Sequence, residues 1–77
     1  MTSPQKNMLK KLNSIIFYNS KTYDDLKKII MDSGEFKKFD STFNNLLHKG
    51  YIQHYNVNND NSFLMTIKGS KKAKTII

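Results

Sequence analysis

Residues 35–50 read Glu35-Phe36-Lys37-Lys38-Phe39-Asp40-Ser41-Thr42-Phe43-Asn44-Asn45-Leu46-Leu47-His48-Lys49-Gly50. The apolar positions Phe36, Phe39, Phe43, Leu46 and Leu47 recur at offsets of three and four, which is one face of an α-helix. Wound at about 100° per residue, the stretch gathers Lys37, Ser41, Asn44 and His48 on the opposite face. Lys38 and Asn45 stand on one shoulder of that polar face, with Asp40 on the other side near Leu47. Gly50 can adopt the left-handed conformation that closes a helix. A greasy side to bury and an outward side of amides, hydroxyl and cations suit a helix that reads DNA. They suit any surface helix too, so the flanking sequence has to decide.

Upstream, Ser3-Pro4 predicts a helix start, with Ser3 as N-cap and Pro4 at the first helical position. Met8, Leu9, Leu12, Ile15 and Ile16 form its apolar stripe, and Phe17-Tyr18-Asn19-Ser20 ends it in a turn. Thr22 can cap a second helix, with Asp25 placed to return the bond and Asp24 and Asp25 both favoured at the positive end. Leu26, Ile29 and Ile30 are expected to face inward. Asp32-Ser33-Gly34 breaks the chain before the helix quoted above, so the pair forms a helix-turn-helix.

Downstream of Gly50 the pattern changes to period two. Tyr51 to Val57 is rich in aromatic and β-branched residues, Asn58-Asn59-Asp60-Asn61 is a turn signal, and Ser62 to Ile67 returns as a second strand. The hairpin should turn Ile52, Phe63 and Met65 inward. Ser70-Lys71-Lys72-Ala73-Lys74 reads as a basic tail with one loose helical turn. The expectation is one α+β domain over residues 3–69, with 70–77 as its tail.

The 77 residues leave no room for a second domain. Thirteen basic residues, all lysine, stand against six acids for a net charge of +7, and four of the lysines fall in the last twelve residues without an acid among them. Such a balance favours a polyanion such as nucleic acid, or an anionic membrane surface, and is equally the charge that solubility alone would call for. Without cysteine there is neither a disulfide framework nor a thiolate metal site. No apolar run approaches the ~18 residues of a membrane span, and the N-terminus lacks a signal-peptide core, so the expected setting is cytoplasmic.

Three helices followed by a hairpin is the order of a winged helix-turn-helix domain, and two stretches of sequence strengthen the likeness. Phe39, Phe43, Leu46 and Gly50-Tyr51-Ile52 resemble that family's apolar recognition helix and its passage into the first wing strand. Phe63-Leu64-Met65-Thr66-Ile67-Lys68-Gly69 resembles the Tyr-x-Leu-Thr-x-x-Gly exit from the wing of bacterial MarR-like and PadR-like regulators. The resemblance runs from about Met8 to Gly69 and omits those regulators' long dimerisation helices. It implies that Lys37, Ser41, Asn44 and His48 face the major groove.

Asn can pair with adenine through two bonds, and Ser or Lys can reach a base edge or a phosphate. Bidentate Arg–guanine recognition is unavailable, since the chain has no arginine, and lysine grips phosphate better than it discriminates bases. The expected DNA-contacting set is Lys37, Lys38, Ser41, Asn44, Asn45, His48, Tyr55, Lys68, Lys71, Lys72 and Lys74. The alternative is single-stranded DNA, because Tyr18, Tyr23, Phe36 and Tyr55 lie at element ends or on the strand face opposite Ile52, where rings beside lysines can stack bases. A third reading is a protein-docking module, and a homodimer is compatible with all three. His48 and His54 share no ligand spacing, Asp24 and Asp25 look like helix-start residues, and no phosphate-binding glycine loop is present. No enzyme, metal, cofactor or small-molecule substrate is expected, and no membrane partner.

Overall fold

The computed structural model describes residues 2–32, 38–55 and 61–76. Its elements are α1 (Ser3–Ile16), β1 (Lys21–Thr22), α2 (Tyr23–Asp32), α3 (Phe39–His48), β2 (Ile52–His54), β3 (Ser62–Met65) and α4 (Ile67–Lys74). Among the described residues this is an α+β arrangement of four helices and one three-stranded antiparallel sheet, in the order β1-β3-β2.

Helix α1 is the spine. Its stripe Met8, Leu9, Leu12 and Ile16 is fully buried, and α2, α3, α4 and β3 all pack on it. Its N-cap is Thr2 rather than Ser3. Thr2 accepts from the Gln5 amide at 3.4 Å while the Gln5 side chain accepts from the Thr2 amide at 3.3 Å. This reciprocal pair is a capping box, and the Thr-x-x-Gln spacing that makes it begins one residue before Ser3.

Strand β1 was not legible as a strand, yet it forms the third member of the sheet through Lys21↔Phe63 and Thr22↔Ser62. Thr22 also accepts from the Asp25 amide at 3.2 Å, so the expected cap of α2 is present. Within α2, Leu26 and Ile30 are buried, but Ile29 is exposed, contrary to the inward position expected of it. A ten-residue helix that meets its neighbours along a narrow stripe buries its i, i+4 pair and turns the adjacent residue out.

Helix α3 starts at Phe39, with Lys38 as an N-cap whose side chain makes no capping bond. The expected start at Glu35, the site residue Lys37 and the turn at Ser33-Gly34 lie outside the described residues. At the other end Gly50 has φ +80°. The Gly50 amide donates to the Leu47 carbonyl at 3.0 Å and the Tyr51 amide to Leu46 at 3.1 Å, the paired bonds of a Schellman motif.

That turn delivers the chain into β2, which pairs with β3 in the register Ile52↔Met65, Gln53↔Leu64 and His54↔Phe63. Ile52, Phe63 and Met65 are buried as expected. Beyond β2, the Tyr55 amide donates to the Ser62 carbonyl at 2.9 Å; the expected strand end at Val57 and most of the turn, through Asp60, lie outside the described residues.

The segment expected as a tail is instead helix α4, which packs on α1 and buries Gly69, Ser70 and Ala73. Thr66 is its N-cap, accepting from the Gly69 amide at 2.9 Å, and the same hydroxyl donates to the Gly50 carbonyl at 2.7 Å. The Thr66 amide donates to Tyr51 O at 3.2 Å. A Cβ on Gly69 would fall well inside contact distance of that Tyr51 carbonyl. Thr66 and Gly69 thus lock the end of α3, the exit of β3 and the start of α4 together.

The aromatic hub lies between α2, α3 and the sheet. Tyr23 meets Phe39 and Phe43 edge-on at 5.4 and 5.2 Å, and Phe43 meets Phe63 edge-on at 4.9 Å. Among the described residues five aromatics are core or rim residues: Phe39, Phe43, Phe63, Tyr23 and Tyr51. Tyr23 is not available as a stacking platform, because its ring closes the hub.

Candidate nucleic-acid interface

The outward face of α3 carries Ser41, Asn44, Asn45 and His48, all exposed. Burial of Phe39, Phe43 and Leu46 forces this, since a helix that commits one stripe to the core turns the opposite one to solvent. Among the described residues none of these four side chains makes a hydrogen bond within the protein. From Ser41 to His48 the helix rises about 10 Å, roughly three base-pair steps, and a major groove about 12 Å wide admits a helix.

Charge flanks this face at both ends. Lys38 stands exposed before the first turn and Lys49 after the last. The acid of α3, Asp40, is engaged within the protein. Its carboxylate accepts from the Tyr23 hydroxyl and pairs with Lys27 Nζ at 3.4 Å. The Tyr23 hydrogen bond, helped by the Lys27 charge, holds the Asp40 carboxyl below the usual carboxylate range. The Tyr23 phenol is pushed up to about 12, by burial first and then by the bond to Asp40.

The remaining expected site residues are placed on other elements. Lys68 sits at the end of α3, where its ammonium donates to the Lys49 carbonyl at 2.9 Å and lies 5.4 Å from the Tyr51 ring centroid. A cation there complements the negative end of the helix, so Lys68 has a structural task of its own. Lys71 and Lys74 border a pocket with Phe17 and Tyr18, while Lys72 borders another with Lys6. Tyr55 is 48% exposed on the sheet face away from Ile52. Lys49 was not among the expected residues; it directly follows His48, and only the helix end shows that it flanks the same face.

The fold and this surface define a small basic α+β protein with a polar, cation-flanked helix. No family model, curated protein or solved structure matches the chain. No described helix is long and apolar enough to cross a membrane.

Proposed function

We propose that the chain is a winged helix-turn-helix DNA-binding protein without enzymatic activity. In this reading α3 is the recognition helix, β2 and β3 are the wing, and lysines grip the phosphates of duplex DNA. The observation that carries it is the α3 face itself. Ser41, Asn44, Asn45 and His48 are exposed with their hydrogen-bonding groups unspent, between Lys38 and Lys49, while Asp40 is tied back to Tyr23 and Lys27. Element order supports it as well, since three helices precede the β2–β3 hairpin.

Affinity in this account comes mainly from phosphate neutralisation, with weak base selectivity supplied by Asn44 and its neighbours. The test is fluorescence anisotropy of a labelled duplex over a salt series. Log affinity should fall linearly with log salt. Replacing both Lys38 and Lys49 with alanine should flatten the slope by about 2, near 0.9 for each phosphate no longer neutralised. Affinity indifferent to salt, or no binding at low salt, points instead to a protein-docking module.

A further inference from the structure

A second surface lies away from the α3 face and shares no residue with it. Where α1 ends, Phe17 and Tyr18 meet edge-on, their centroids 4.3 Å apart at 89°. Tyr18 is 86% exposed, an unusual position for a large ring, and neighbouring Ile67 is 78% exposed. Lys74 Nζ lies 5.9 Å from the Phe17 ring centroid.

Two pockets share these rings. One, of about 370 Å³, is bounded on the α4 side by Ile67, Ser70 and Lys71. The other, of about 400 Å³, is bounded on the α1 side by Asn13 and Ser14. Phe17, Tyr18 and Lys74 line both. Ser70 lines the first pocket and Asn13 the second, and among the described residues Ser70 Oγ and Asn13 Oδ1 are buried without a hydrogen-bond partner. Ser70 as a whole is only 6% exposed.

We propose that this pair of pockets is a single-strand nucleic-acid site that takes two successive bases. The rings present stacking faces, and Lys74, common to both pockets, neutralises the phosphate between the bases. Lys71 takes the next phosphate along. Charge selects this occupant over a second copy of the chain. No acid lines either pocket, and a two-fold pairing of the surface would bring Lys71 and Lys74 of both copies into one interface with no acid from either pocket. The described acids, Asp24, Asp25, Asp32 and Asp40, all belong to α2 and α3.

The experiment is anisotropy of the full chain with labelled oligothymidylate, oligouridylate and a mixed-sequence duplex at low salt. Tyr18→Ala should weaken both single strands by roughly 5- to 100-fold, the loss of one or two stacked bases, and leave the duplex unaffected. Tyr18→Phe, which keeps the ring, should restore single-strand affinity. Lys74→Glu should weaken single strands while the far-ultraviolet circular dichroism shows the chain still folded. Equal loss on both oligomers indicates recognition of base and phosphate; a larger loss on oligouridylate indicates that the 2′-hydroxyl is also read. Single-strand affinity unchanged in Tyr18→Ala would overturn the proposal. So would a dimer in sedimentation that Tyr18→Ala dissociates without changing single-strand affinity, which would make the patch a self-association surface. Because no α3 residue takes part, loss of duplex binding in Asn44→Ala has no bearing on the outcome.

Discussion

Replacing Gly69 with alanine in the first turn of α4 should destabilise the protein, although the same exchange in an ordinary helix stabilises it. In an unencumbered helix interior alanine gains up to about 1 kcal/mol over glycine. Here the added Cβ falls inside the Tyr51 carbonyl oxygen and 2.7 Å from Met65 Sδ. The Met65 side chain can move, but the Tyr51 carbonyl is backbone fixed by the Schellman turn at Gly50. Helix α4 must therefore back away by about 1 Å to restore contact distance. That motion strains the Thr66 amide bond to Tyr51 at 3.2 Å and the Thr66 hydroxyl bond to Gly50 at 2.7 Å. Overpacking of this kind costs about 1–3 kcal/mol and each weakened hydrogen bond about 0.5–1.5. After the propensity gain, a net loss of about 1–5 kcal/mol remains, a large share of what so small a domain possesses. Urea denaturation followed by circular dichroism measures it. Ser70→Ala is the control, since its hydroxyl has no partner and its removal should be close to neutral. Equal or higher stability of Gly69→Ala would refute the close approach of α4 to the α3 turn.

Phe43→Ala removes the ring at the centre of the aromatic hub and should cost about 3–5 kcal/mol, leaving little cooperative unfolding in the same denaturation assay. The Tyr23–Asp40 pair should shape the pH profile of stability. Asp40, lowered in the fold, contributes above the ordinary carboxylate range and loses its share as pH falls below it; Tyr23, raised from 10 to about 12, contributes fully below pH 10 and loses its share as pH climbs to 12. Tyr23→Phe should flatten both flanks of the denaturation midpoint plotted against pH, and an unchanged profile would contradict the pairing. Asn44→Ala should lose about 1–3 kcal/mol of discrimination at a single A·T position while leaving non-specific affinity intact, read by anisotropy over a panel of single-base-pair variants.

Bulky periodic residues made much of the fold legible. Phe39, Phe43 and Leu46 announced the buried stripe of α3, and with it the exposure of Ser41, Asn44 and His48 on the other side. Gly50 announced the left-handed turn because no other residue takes that conformation so freely. Helix α4 was hidden by the size of its buried residues. Gly69, Ser70 and Ala73 allow close approach but carry almost no hydrophobic signal, whereas the bulky Ile67 points outward. Strand β1 is two residues long, too short for any alternation to show. Tyr23 looked like a surface ring because its partners lie elsewhere in sequence, Asp40 seventeen residues away and Phe63 in the returning strand. The interface was legible along one helix. The division of the lysines between the α3 ends and the Phe17–Tyr18 pockets was not, because it depends on how α4 lies against α1.

Entry of α3 into duplex DNA is read out residue by residue by amide chemical-shift mapping. Isotope-labelled protein titrated with a short A·T-containing duplex at low salt should show its largest changes at Ser41, Asn44, Asn45 and His48. Smaller changes should appear at Lys38 and Lys49, and the Phe17–Tyr18 segment should stay still. Changes concentrated on α4 or at Phe17 and Tyr18, with the α3 amides unmoved, would contradict the groove-reading account.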